Sequence, residues 1–177
     1  LGPTQDVRAG FVATDMGVTL SEVPWKPTLK WVFHWGSGDS DPNDGVINTF
    51  DTLFPLGHAY WGIIDNFNGS NLLDFSPQLV LTPDPKFNTV FAYHHFEKSS
   101  ANDFIYNVAT APLGNLITPS RDLGDEFDLI MTLKPEDNLE VQWGYSYFWY
   151  GDAVNGNAGI PARGDAHQFY LMTTLTY

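Results

Sequence analysis

The residues best placed for chemistry are the acidic run Asp39, Asp41, Asn43 and Asp44 and the five histidines His34, His58, His94, His95 and His167. Asp39, Asp41 and Asn43 alternate like the opening of a D-x-D-x-N calcium loop, whose oxygen donors wrap a hard cation. Asp44 stands where such a loop wants glycine, Gly45 comes one place late, and Phe50 occupies the place of the bidentate glutamate. Two readings follow: a hydrated acidic turn, which the departures favour, or an external Ca2+ site formed by Asp39, Asp41, Asn43 and Asp44. Ca2+ is the one cofactor the sequence offers. The histidines lack the spacing of a metal triad, and His94 and His95, adjacent on a strand, point to opposite faces. There is no cysteine, no G-x-S-x-G and no H-E-x-x-H, and no spacing favours a Ser146–His94 nucleophile pair. The chain is therefore read as a non-enzyme.

Composition narrows the partners. Asp and Glu number 21 against 8 Lys and Arg, a net charge of -13. Such acidity argues against nucleic acid and against docking on anionic lipid heads. No apolar run of about 18 residues is present, as a membrane-crossing helix would need. The sequence starts at Leu1 with no visible signal peptide, so it reads as processed or as a piece of something longer.

The elements that must position these residues are strands. In Leu139 to Trp149 one parity reads Leu139, Val141, Trp143, Tyr145, Tyr147 and Trp149, and the other Glu140, Gln142, Gly144 and Ser146, with Phe148 the only apolar intruder. Arg163 to Tyr177 repeats the pattern, with Phe169, Leu171, Leu175 and Tyr177 against Gln168, Tyr170, Thr174 and Thr176, and is expected to be strand to its last residue. An aromatic face opposite a hydrogen-bonding face suits a strand with lipid on one side and a wet lumen on the other. Five further strands are read in Val7–Leu20, Leu29–Gly36, Leu73–Thr82, Phe87–Glu97 and near Phe127–Leu133, with Pro77, Val90 and Phe96 as blemishes. Residues 36–71, 99–123 and 151–164 break every period and are long loops, whereas the intervening connections are short. That asymmetry fits an outer-membrane barrel with tight periplasmic turns and long external loops. It puts Leu29, Phe87, Leu139 and Tyr177 at the periplasmic rim and Trp35, Tyr147 and Trp149 at the outer one. A soluble β-sandwich would show similar alternation, but its loops are rarely so unequal between the two ends.

Several segments carry a family resemblance. They are Trp35-Gly-Ser-Gly-Asp39-Ser-Asp41-Pro-Asn-Asp44-Gly45, Thr49-Phe50-Asp51-Thr-Leu-Phe54-Pro55-Leu-Gly57-His58-Ala-Tyr60 with Asp65, Ser70-Asn71-Leu72, Tyr93-His94, Ala101-Asn102-Asp103 with Tyr106-Asn107, Arg121 to Asp128, Tyr145-Ser146 and Gly151-Asp152. Together they resemble the alginate export family of Gram-negative outer-membrane porins over nearly the whole chain after Leu29. The resemblance implies a single-chain antiparallel transmembrane β-barrel of roughly eighteen strands, of which this all-β sequence is the C-terminal portion. Seven strands read from the sequence agree with a partial barrel over 1–177, its remaining strands supplied by the same or another chain.

Function then rests on the polar parity: Lys30, His34, Asp74, Gln78, His94, Glu126, Asp128, Glu140, Gln142, Gln168 and Tyr170 are expected to face the lumen and its solute. A polyanion exporter is expected to line its constriction with Arg and Lys. Here the lumenal parity carries at least as many acids as bases, which fits small or cationic solutes better. The expectation is an outer-membrane channel for a solute or polysaccharide, in contact with lipid and lipopolysaccharide. The alternatives are a scaffold barrel that binds a partner through its external loops, and a soluble β-sandwich binding module.

Overall fold

The computed structural model describes residues 5–54, 57–115, 120–161 and 164–177. Arg163, from which the last strand is expected to start, and Pro55 of the loop motif lie outside them. The strands are β1 (Asp6–Val7), β2 (Phe11–Thr19), β3 (Thr28–Gly36), β4 (Val46–Ile47), β5 (Leu72–Asp84), β6 (Phe87–Lys98), β7 (Ile105–Tyr106), β8 (Pro112–Leu113), β9 (Asp122–Glu136), β10 (Leu139–Tyr150) and β11 (Ala166–Leu175), with single-turn helices α1 (Gly57–Tyr60) and α2 (Asp152–Asn155). Seven of them form one antiparallel sheet in the order β11-β10-β9-β6-β5-β3-β2. Each has at least nine residues, the length that a tilted strand needs to cross a bilayer. The sheet is not closed: β2 and β11 are edges. It is a single sheet, not the two facing sheets of a sandwich.

Cross-strand register turns the alternation into two adjacent rows. One row, Val18–Leu29–Leu79–Phe91–Leu129–Tyr145–Phe169, is apolar or aromatic on every strand. The next, Gly17–Lys30–Gln78–Ala92–Asp128–Ser146–Gln168, is polar or small on every strand and faces the other way. The apolar face stays bare among the described residues: Met16, Trp31, Phe75, Tyr93, Tyr145, Trp149, Phe169 and Leu171 are all exposed. So continuous an apolar surface is far larger than an isolated water-soluble domain tolerates.

Short connections (residues 20–27, 85–86 and 137–138) lie at one end of the sheet, and long ones (37–71, 99–121 and 151–165) at the other. Three expectations are corrected. The last strand stops at Leu175 instead of reaching Tyr177, although the Thr176 amide still donates to the Asn138 carbonyl at 2.9 Å. β9 starts at Asp122, inside the stretch read as loop, because Gly124 at φ +127° lets the chain bend where the β6–β9 register shifts. The loops are also not featureless, since β1 pairs with β4 and β7 with β8. Pro77 leaves β5 unbroken, but the pairing of β5 with β6 skips Ser76 and Pro77.

Candidate functional site

The long loops fold onto the polar face of the sheet, and two phenylalanines on that face hold them there. Phe96 of β6 and Phe148 of β10 are fully buried, with ring centroids 5.9 Å apart. Phe67 of the first long loop packs edge-on against both, at 5.6 and 5.8 Å. Trp61, Leu72, Ile105, Leu123, Ala153, Val154 and Ile160 complete the cluster, so all three long loops share one core with the strands. Hydrogen bonds fix the register of the docking. The Ile64 amide donates to Glu126 Oε1 at 2.9 Å, His34 Nε2 lies 3.0 Å from the Gly69 carbonyl oxygen, and Tyr150 donates to Asn66 Oδ1 at 2.9 Å.

Beneath the loop lies a buried polar network. His94 Nδ1 is 2.9 Å from Asp74 Oδ2, while Nε2 is 3.3 Å from Ser76 Oγ and 3.8 Å from Asp128 Oδ2. Gln78 extends it by donating to Ser76 Oγ at 3.1 Å. All eleven residues expected to be lumenal share the polar parity, yet five do not meet bulk solvent. Asp74 and Glu126 are 0% exposed, Asp128 1%, His94 4% and His34 6%, because the loop covers them. The others spread along the wall. Lys30 pairs with Asp15 at 2.9 Å and Glu140 with Lys134 at 3.0 Å. Gln142 donates to Thr132 Oγ1 and accepts from the Tyr170 hydroxyl, both at 3.3 Å, and Gln168 is half-buried across from Ser146.

The acidic run is engaged with its own backbone. Asp39 Oδ1 accepts the Asp41 amide, Asp41 Oδ1 the Asn43 amide and Asp44 Oδ1 the Val46 amide, three successive side-chain turns. Asn43 itself is exposed. Among the described residues no group of three or more His, Cys, Asp or Glu side chains is arranged to hold a metal ion. The carboxylate with most to do in the loops is Asp103, which the sequence reading named only within a motif of the family resemblance and gave no role. It is 2% exposed and accepts from the Asp39 amide, the Thr49 hydroxyl, the Phe104 amide and the Tyr106 hydroxyl, tying the first long loop to the second. Burial and then the Asp103 charge push the Tyr106 phenol up. In the first loop burial raises the Asp65 carboxyl, and the His58 ring at 2.8 Å opposes that rise.

Gly62 makes the docking possible. It sits at φ +81°, and a Cβ there would stand 2.6 Å from the Glu126 carboxyl carbon. Gly62→Ala is therefore expected to cost about 1–3 kcal/mol in backbone strain and to displace the loop from Glu126. Faster protease cleavage between residues 57 and 71 in intact membranes would report it; unchanged cleavage would count against this seating of the loop.

Between residues 50–54 and 58–63 of the loop and strands β2, β3, β5, β6 and β9 remains a cavity of about 760 Å³. Phe11, Phe50, Trp61, Ala92, Gln78 and Asp128 are among its walls. Residues that sequence reasoning missed, Trp61, Gly62 and Phe67, sit in a stretch without period. The signal that could have found their docking place was the pair of phenylalanines on the wrong parity.

A comparison with curated proteins finds no match. Residues 2–166 match the family described as Alginate export, a family of outer-membrane transport porins, and the match stops where β11 begins. With nearly its whole length matched, this chain belongs to the Alginate export family.

Proposed function

We propose that the seven-stranded sheet is part of the wall of an outer-membrane barrel, and that its polar face lines a channel narrowed by the first long loop. The observation that carries this is the pair of adjacent rows, one apolar or aromatic and one polar or small, that cross all seven strands. Lipid accepts a sheet only when every backbone group is paired, so the edges of β2 and β11 require further strands, from the same or another chain.

Charge on the wall selects among solutes. The polar face carries Asp15, Asp74, Glu126, Asp128 and Glu140 against Lys30, Lys98 and Lys134; Lys30 and Lys134 are in ion pairs, and Lys98 is fully buried and donates to the Ala101 carbonyl. No unpaired cation faces the bore among the described residues of these strands to greet a polyanion. This wall passes neutral and cationic solutes more readily, and export of an alginate-like polyanion needs basic groups on strands outside the sheet.

The test is the reversal potential of the protein, isolated from its own outer membrane and placed in a planar bilayer under a salt gradient. Cation preference is expected, with Asp15→Lys and Glu140→Lys each moving the potential toward the anion side. Anion preference unmoved by either substitution would overturn the assignment of this wall. Absence of any conductance would favour a scaffold barrel.

A further inference from the structure

The first long loop rests on a pair of carboxyl groups that are bonded to each other. Glu126 and Asp128 share the polar parity of β9, are 0% and 1% exposed, and are joined by a hydrogen bond between their carboxyls. Carboxylate oxygens only accept, so this bond exists only while one of the two groups keeps its proton. Glu126 Oε1 also accepts the Ile64 amide at 2.9 Å, and the Ile63 backbone bonds to the same carboxyl. Gly62 packs so closely on it that a Cβ there would stand 2.6 Å from the carboxyl carbon. The loop backbone thus occupies the space that water would need to hydrate a second charge.

The surroundings do little to offset such a charge. Across the ladder Glu126 faces His94 and Phe148, and Asp128 faces Ala92 and Ser146. His94 of β6 is the basic group at the pair, its Nε2 3.8 Å from Asp128 Oδ2, but its Nδ1 is committed to Asp74 of β5 at 2.9 Å. Asp74 and Tyr170 of β11 interact with Asp128 through space, and His34 of β3 with Asp74. Asp15 and Lys30, paired at 2.9 Å, line the cavity beside Asp128, as do Asp51 and His58 of the loop, the latter bonded to Asp65 at 2.8 Å. Loss of the shared proton leaves two carboxylates side by side next to one histidine that already serves another acid.

We infer that the proton shared by Glu126 and Asp128 latches the first long loop onto the wall, and that its loss on raising the pH releases the loop. Two charges cost least where both are hydrated, which requires the loop to rise, so removing the proton favours the raised state. The sign is a seated loop at neutral pH and a released one in alkali. The latch stands on the geometry of the loop alone; only its effect on current rests on the channel reading, in which release widens the bore.

The test is protease cleavage of the full-length protein in its own outer membrane, at neutral and at alkaline pH. Cleavage within residues 57–71 is divided by cleavage within residues 99–115 of the second long loop, which cancels the protease's own response to pH. This ratio is expected to rise by about tenfold in alkali, the effect of a one-unit difference in proton affinity between seated and raised loop. Glu126→Gln keeps an oxygen for the Ile64 amide and supplies an N–H for Asp128 that no base removes, so its ratio should stay low at both pH values. Asp128→Asn, which supplies the N–H from the other side, should behave alike. A ratio independent of pH in the parent protein would overturn the inference. So would a rise as large in both variants, which would assign release to His94 or another group, or fast cleavage of both at neutral pH. Current in a planar bilayer should follow the ratio; release without any conductance would remove the channel reading and leave the latch standing.

Discussion

Phe148→Ala is expected to destabilise the loop-covered sheet by about 3–5 kcal/mol, the usual range when a buried phenylalanine is cut to alanine. The side chain is fully buried and touches three rings, Phe67 at 5.8 Å, Phe96 at 5.9 Å and Tyr150 at 4.7 Å between centroids. Phe67 belongs to the loop, so removing Phe148 withdraws the floor on which the loop rests. Two readouts should move together: the temperature at which the protein loses its compact gel migration falls, and protease cleavage within residues 57–71 accelerates in intact membranes. Faster cleavage at an unchanged transition temperature would mean that the loop is an independent flap, not part of the core of the sheet.

His94→Phe is expected to cost about as much, roughly 3–5 kcal/mol, for an electrostatic reason. The new ring can keep the stacking of the imidazole on Phe96, now 5.3 Å between centroids and 7° from parallel. What it loses is the partner of Asp74, whose Oδ2 bonds to His94 and whose Oδ1 has no partner, on a side chain that is 0% exposed. A carboxylate stranded without a donor carries its full desolvation cost, whereas replacing both members of the pair by apolar groups is far cheaper. The double variant His94→Phe, Asp74→Leu should therefore recover most of the loss, as the transition temperature would show. If the two substitutions instead add, the network is not a unit, and the stability of the wall lies elsewhere.

The seven long strands were legible because one face is apolar and bare while the other is polar or covered by loops. Wherever one side is bare and apolar, period 2 is enforced residue by residue, as in Val141, Trp143 and Tyr145 against Gln142 and Gly144. Ends were less legible. At Leu175 and Asp122 the boundary is set by whether a neighbour pairs and by a bend at Gly124, neither of which leaves a periodic trace. The polar residues of the site were visible as a parity, but their burial was not. The loop that covers His34, Asp74, His94, Glu126 and Asp128 is positioned by contacts between residues far apart in sequence, such as Ile64 with Glu126 and Asn66 with Tyr150. Phe96 and Phe148 broke the alternation because their half of the polar face is packed with loop side chains instead of water. Asp39, Asp41 and Asp44 looked like ligands because the side-chain-to-backbone turns they make use the same short spacing of oxygens as a cation loop.

The most direct test of membrane placement uses the absence of cysteine, which lets single cysteines be introduced one at a time and spin-labelled. Labels at Trp143, Phe169 and Leu171 should collide with oxygen dissolved in lipid and be shielded from a water-soluble nickel reagent, whereas labels at Gln142 and Gln168 should show the reverse. A period of two in accessibility along β10 and β11, measured in the native outer membrane, is the predicted result. Equal access of the water-soluble reagent to both parities would contradict it, and would place the apolar face against protein or water instead of lipid.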